Sequence, residues 1–275
     1  MKSKINIDAW ESPKWAVITG ASSGIGAEFA LQLARNHFNL ILIARRLDRL
    51  EKLCTQLSTN YQIEAYPLKA DLSTSEGIHS IMNRQDLVQK CDLLIHAAGF
   101  GTRGKFLEVS VEDSIQMLMV HNTTAVALTH AILPGMIQRQ RGGIIFVSSV
   151  APFTPIPGNG VYTATKGFLV HFAQMLDIEY ASMGIKTQAL CPGFTVTEFH
   201  EVGHFQGFNR KIIPKFLWTE VNKVVAYSLK QLNSNQLIVI PGVIHRWVKR
   251  MFQVKLLRSI LIAQFTKEKK HQISS

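Results

Sequence analysis

Residues 15–34 read "WAVITGASSGIGAEFALQLA", and the fold turns on how three glycines divide this stretch. An apolar run, Trp15 to Thr19, has the β-branched character of a buried strand, and "AEFALQLA" has that of a helix. Between them lie Gly20, Ala21, Ser22, Ser23, Gly24, Ile25 and Gly26. Glycines let such a turn tighten and let the backbone approach a pyrophosphate, which the free N–H groups at the helix N-terminus then bind. Glycine spacing alone is weak evidence. Its place directly between a first strand and a helix favours a nucleotide site over a plain structural turn, with Gly20, Ser22, Ser23, Gly24, Ile25 and Gly26 as its lining.

Outward from this unit, short apolar runs recur between longer helical segments: "LILIA" at 40, "DLLIH" at 92, "GIIFVSS" at 143, "KTQALC" at 186 and "LIVIP" at 237. An extended piece, "IEAYPLKAD" at 63, makes the seventh strand. Strands alternating with helices at this spacing predict an α/β fold, a Rossmann-like doubly wound seven-stranded parallel sheet with helices on both faces, in a single domain. Ligands then sit at the carboxyl ends of the strands. The expected organisation is an N-terminal extension over 1–12, a nucleotide-binding domain over 13–242 and a basic amphipathic tail over 243–275, with no internal repeat.

The chain has 275 residues, 47% hydrophobic and 18% charged, a composition of folded rather than disordered proteins. Its three cysteines, Cys54, Cys91 and Cys191, have no metal-binding or disulfide spacing, which fits a reducing, cytoplasmic compartment; no metal site is expected. No signal-like or membrane-spanning apolar run stands out. Net charge is +11, but from Gly242 onward eight Lys/Arg face one acidic residue, Glu268, so +7 of it lies in the tail. That asymmetry argues against a nucleic-acid-binding core.

The glycine spacing is GxxxGxG, and Thr19-Gly20 with Gly24 and Gly26 resembles the TGxxxGxG signature of the short-chain dehydrogenase/reductase family. The resemblance covers residues 13–242. "GAEFALQLA", "LILIARRLDRLEKL", "LPGMI" and "CPGFTVTEF" are similar in particular to the branch with DltE-like oxidoreductases, 3-oxoacyl reductases and 17β-hydroxysteroid dehydrogenases. It implies an oxidoreductase that moves hydride between a nicotinamide cofactor and a carbonyl or secondary alcohol, working as a homodimer or homotetramer. The competing reading is a cofactor-binding regulator of the same fold that catalyses nothing.

Where an NAD enzyme places an acidic residue after the second strand, this chain has Ala44 followed by Arg45 and Arg46. A guanidinium suits an adenosine 2′-phosphate in charge and in its fork of donors, so NADP(H) is expected over NAD(H). Asp71-Leu72 resembles the family's adenine-contacting pair. Ala97, Ala98 and Gly99 resemble its stretch after the fourth strand, where His96 replaces the usual Asn and reads either as a satisfied core histidine or as a ligand.

Ser149, Tyr162 and Lys166 resemble the catalytic set Ser-x12-Tyr-x3-Lys. Tyr and Lys four apart share a helix face. Free tyrosine, with pKa about 10, is a poor base at neutral pH, and a nearby ammonium favours its phenolate. The resemblance makes Tyr162 the proton donor, Ser149 the holder of the substrate oxygen, and Lys166 both tuner and ribose contact. The family's fourth residue, an asparagine holding a water beside the lysine, falls on His121 or Asn122; a helix turns about 100° per residue, so only one is expected to face the site. An imidazole there can hold a water and relay protons. Pro192, Gly193, Thr195 and Thr197 match the family's PGxxxT stretch over the nicotinamide carboxamide.

Phe194, Phe199, Phe205, Phe208, Phe216 and Trp218 crowd residues 194–218, the expected substrate lid. Aromatics suit an apolar acyl, steroid-like or aromatic small molecule, with Ser149, Phe194 and Phe199 against it. In the tail, "HRWVKRMFQV" sets Arg246, Lys249, Arg250 and Gln253 against Trp247, Val248, Met251, Phe252 and Val254. This pattern fits packing on the domain, capping of the pocket or a partner subunit, or peripheral contact with an anionic membrane through residues 245–270.

Overall fold

The computed structural model of the chain describes residues 7, 10–200, 210, 213–234 and 236–253. In chain order the elements are β1 (Trp15–Thr19), α1 (Gly24–Arg35), β2 (Asn39–Ala44), α2 (Leu47–Tyr61), β3 (Ala65–Lys69), α3 (Ser75–Met82), α4 (Gln85–Val88), β4 (Cys91–His96) and α5 (Val111–Leu118). A five-residue π-turn, Met119–Thr123, joins α5 to α6 (Thr124–Gln138). Then follow β5 (Gly142–Val147), α7 (Gly160–Tyr180), β6 (Ile185–Leu190), β7 (Thr195–Val196), β8 (Thr219–Glu220), α8 (Val221–Leu232), β9 (Ile238–Val239) and α9 (Val243–Gln253).

Seven strands form one parallel sheet in the order β3-β2-β1-β4-β5-β6-β9, and each expected run lies on one of them. The order reverses between β1 and β4, which opens a crevice at their carboxyl ends. Alternate strand residues feed two separate cores. Val17, Ile41, Leu94, Ile144 and Phe146 pack with α6 and α7 residues such as Leu128 and Leu169 on one face. Ala16, Ile18, Leu40, Ile95 and Ile145 pack with Phe29, Leu50 and Val225 of α1, α2 and α8 on the other. Burial on both faces is why these strands read as continuous apolar runs rather than as alternation.

The far end of the sheet is tied by charge. Buried Asp92 accepts the Trp15 N–H at 3.0 Å and pairs with Arg141 at 2.9 Å and Arg139 at 3.3 Å. This leaves the carboxyl ends free for chemistry.

Candidate active site

Gly20 and Gly26 fix the shape of the first turn. Gly20 has φ +67°, and a Cβ on it would lie 2.8 Å from the Ala98 Cα; one on Gly26 would run into the Gly20 carbonyl. The turn therefore admits glycine only, as close backbone approach demands. Ser23 stands at the N-cap of α1 in extended conformation, yet its hydroxyl makes no cap bond to the helix. It accepts instead from Arg46 Nη2 at 2.8 Å. The first N–H groups of α1 are thus left without a side-chain cap, the arrangement that binds anions.

Arg46 also donates to the Ser22 hydroxyl, from Nε at 3.2 Å and Nη2 at 3.0 Å. Arg45 is exposed and acts on Asp71, whose carboxylate is otherwise bound to Ser73. Burial works to raise the Asp71 carboxyl, but the Ser73 bonds and the Arg45 charge outweigh it and hold it low. Leu72 is buried, and its carbonyl accepts from Thr124 Oγ1 at 3.4 Å. Glycine cradle, uncapped helix and guanidinium form a donor set that fits a phosphorylated dinucleotide.

Past β5 the two serines divide their work. Ser148 is buried, and its hydroxyl donates to the Lys166 carbonyl at 2.7 Å, tying α7 to the sheet. Ser149 is half-buried; its hydroxyl accepts from the Ala151 N–H at 3.1 Å and stands near enough to the Tyr162 hydroxyl to favour the phenolate. Tyr162 is half-buried, and burial pushes its phenol up to about 12, against the pull of the Ser149 hydroxyl. Lys166 is only 4% exposed, and burial pulls its ammonium down to about 7. Its Nζ donates to the Val147 carbonyl at 2.9 Å and stands 5.8 Å from the Tyr162 ring centroid.

The expectation that only one of His121 and Asn122 can face this site meets the π-turn. In an i→i+5 turn each residue advances through a smaller angle than in an α-helix, so neighbours share a face. Both reach Thr165 of α7: His121 Nδ1 lies 2.8 Å from its hydroxyl, and Asn122 Nδ2 donates to its carbonyl at 3.0 Å. The Phe100 N–H donates to His121 Nε2 at 3.1 Å, so Nδ1 must carry the proton and donate to Thr165. The Thr165 hydroxyl then donates to the Tyr162 carbonyl at 2.9 Å. Both ring nitrogens are engaged, and the imidazole braces α7 against the loop at Phe100.

His96 completes the brace. The N–H groups of Ala97 and Ala98 each donate to Thr19 Oγ1 at 3.1 Å, the Thr19 hydroxyl donates to His96 Nδ1 at 3.1 Å, and His96 Nε2 donates to the His121 carbonyl at 3.0 Å. His96 is a satisfied core histidine. Burial, with the Lys166 charge added, brings it down to about 3 and His121 well below the usual range. A Cβ on Gly99 would lie 2.8 Å from His121 Nε2 and 3.1 Å from Lys166 Nζ, so Gly99 marks where these two bases meet.

After β6 the chain crosses the crevice. Thr195 Oγ1 donates to the Gly193 carbonyl at 3.1 Å, and the Thr197 side chain comes within 3.3 Å of where a Gly24 Cβ would stand. Phe199 lies 6.2 Å from the Tyr162 ring and Phe194 5.4 Å from Trp218, between centroids. Phe216 is exposed, while Phe205 and Phe208 fall outside the described residues.

Three contacts here carry no signal in the sequence. Glu198 pairs with Arg46 at 3.1 Å and with Arg49 at 2.9 Å. The His245 imidazole of α9 rests on Gly193 beside Pro192, where any Cβ would collide with it. Lys249 stands 4.4 Å over the Phe153 ring. All three are pairings between segments far apart in the chain; only the place of Arg49, one helical turn beyond Arg46, follows from spacing.

Residues 14–204 match the family described as short chain dehydrogenase. Bovine (Bos taurus) very-long-chain 3-oxoacyl-CoA reductase is 31% identical over 193 residues, 69% of this chain and 62% of the relative. A rat (Rattus norvegicus) relative, inactive hydroxysteroid dehydrogenase-like protein 1, is 32% identical over 194 residues, 70% of this chain and 59% of the relative. The matched stretch thus spans less than two thirds of these curated relatives. Among solved structures, a short-chain dehydrogenase from Sphingobium yanoikuyae in complex with NADPH superposes with TM-score 0.78 at 30% identity, over 85% of this chain and 91% of that one. The bulky-bulky ketone specific alcohol dehydrogenase from Comamonas testosteroni gives TM-score 0.75 at 28% identity, over 92% and 95%.

Proposed function

The chain belongs to the short-chain dehydrogenase family, and from that premise we propose that it is an oxidoreductase interconverting a carbonyl and a secondary alcohol, with NADP(H) preferred over NAD(H). The observation that carries the reading is the hydroxyl pair of Ser149 and Tyr162 beside buried Lys166, at the carboxyl ends of the strands and across the crevice from the glycine turn. Arg46, held on Ser22 and Ser23, supports the phosphorylated cofactor, and it is the chain's own substitute for an acidic ribose ligand. Phe194, Phe199 and Trp218 support an apolar substrate.

When bound, the nicotinamide supplies or accepts the hydride. Ser149 donates a hydrogen bond to the substrate oxygen, and Tyr162 gives that oxygen its proton as charge develops there. A phenol held near 12 stays protonated at neutral pH, which suits the direction of carbonyl reduction. The Lys166 ammonium lowers the cost of the phenolate left behind. Phe100 and His121 stabilise the loop around Gly99, which would line the bound cofactor.

The test is an NADPH-oxidation screen over bulky ketones and 3-oxoacyl thioesters, with Tyr162→Phe as control. Wild-type turnover is expected to fall by about 10²–10⁴ in the variant, and equal turnover would sink the mechanism. The second reading, a cofactor-binding regulator, is favoured by the relatives named inactive; wild-type chain that binds NADPH tightly yet turns over nothing decides for it. Assembly as a homodimer or homotetramer goes with the first reading and is checked by light scattering.

A further inference from the structure

We propose that Arg46 and Arg49 form an oxyanion site in which the Glu198 carboxylate stands in for the cofactor's 2′-phosphate, so that Glu198 sets how strongly the chain selects a phosphorylated cofactor. The inference rests on the NADP(H) reading above. Arg49 Nη1 donates to both Glu198 oxygens, at 2.9 and 3.0 Å, and Arg46 Nη1 donates to Oε2 at 3.1 Å. The rest of the Arg46 fork is fixed on Ser22 and Ser23, the residues of the glycine turn itself. Two guanidiniums converging on one carboxylate are a pre-formed seat for a group with more oxygens and more charge, since fork donors match phosphate as well as carboxylate.

Glu198 comes from a distant part of the chain, the short turn Glu198–His200 that follows β7. Its neighbours reach the other parts of the crevice: Thr197 stands where a side chain on Gly24 would meet it, and Phe199 lies 6.2 Å from the Tyr162 ring. One carboxylate thereby ties the strap over the crevice to the arginines of α2. Burial works to raise the Glu198 carboxyl, but hydrogen bonds from Arg49 and Arg46 outweigh it and keep it ionised. The pairs are 39–44% exposed, so the tie is weak and exchangeable. A 2′-phosphate must displace the carboxylate to reach both arginines, and its affinity is reduced by the fraction of chains in which the tie is made. A cofactor with a free 2′-hydroxyl leaves the tie in place.

The experiment is titration of the full chain with NADPH and, separately, with NADH, read by cofactor fluorescence. Glu198→Gln is expected to tighten NADPH by about three- to tenfold and to change NADH by less than about twofold. Arg49→Ala is expected to weaken NADPH alone. Glu198→Asp keeps the charge but withdraws it by one methylene, and is expected to recover part of the Gln variant's gain. Equal effects of Glu198→Gln on both cofactors, or a Glu198→Asp chain identical to wild type, overturn the inference. The wild-type NADPH-to-NADH ratio tests the cofactor reading separately, because the displaced carboxylate is read from the variants alone.

Discussion

Tyr162 and Lys166 stand one helical turn apart, and burial drives their proton affinities in opposite directions: the phenol up to about 12, the ammonium down to about 7. Desolvation disfavours each charged form, and the Val147 carbonyl rather than the phenol receives the ammonium. The site is therefore arranged to keep a neutral donor, and its cationic support is lost as pH rises through about 7. NADPH-dependent reduction by the wild type is expected to decline above neutral pH in kcat/KM. Lys166→Arg, whose charge does not titrate in this range, is expected to move that decline upward by more than about one pH unit. Initial rates between about pH 5.5 and 9.5 check this; superimposable profiles would dissociate the decline from Lys166.

At the scale of elements, what was legible depended on whether an element's surroundings are uniform. Strands such as β2 and β5 lie between two apolar layers, so their runs of Leu, Ile and Val announce them. The segment 119–123 does not announce its π-turn, because the same residues satisfy α-helical spacing until packing on Thr165 decides. The π-turn brings His121 and Asn122 together on α7, and its removal should be felt there. His121→Ala strips the acceptor from the Phe100 N–H and opens a cavity beside Gly99, an expected cost of about 2–4 kcal/mol in urea unfolding. A change below about 0.5 kcal/mol would mean the brace bears no load. Helix α9 corrects the expected faces. Its inward side carries His245 and Phe252, each 6% exposed, with Lys249 on Phe153, while Trp247 is 60% and Met251 40% exposed. A hydrophobicity pattern could not show this, because Gly193 makes room for the imidazole and an aromatic ring receives the ammonium. No helix among the described residues is long and apolar enough to cross a membrane. The outward Val243, Trp247 and Met251 are what a peripheral contact would use; Trp247→Glu should then abolish sedimentation with anionic vesicles, and unchanged sedimentation removes that reading for α9.

For the whole molecule, the same buried bases make stability a function of pH. His96 and His121 are neutral in the native chain and titrate near 6.5 once unfolded. Above that value neither state holds their protons. As pH falls through 6.5 the unfolded chain takes up protons that the native chain refuses, so stability falls, by about 1.4 kcal/mol per pH unit for each histidine. The loss for His96 continues down to about 3. Lys166 acts in a second window with the same sign. Between about 7 and its unfolded value of 10.5 only the unfolded chain keeps the proton, so stability rises with pH across that interval. Burying Lys166 therefore costs the free chain stability at neutral pH, a cost that packing does not explain and that the proposed role in catalysis would. Lys166→Met keeps the length and removes the charge, at the expense of the bond to Val147. It is expected to raise the urea midpoint at pH 7.5, equivalent to about 1–4 kcal/mol, and to flatten the slope between about pH 7 and 10. It should keep the acid slope of the histidines, whose main cause is burial, but end it at a somewhat higher pH because the ammonium no longer lowers them. Urea titrations of both chains at pH intervals measure all three, and a variant less stable than wild type at neutral pH would show that the ammonium is not held against its own solvation.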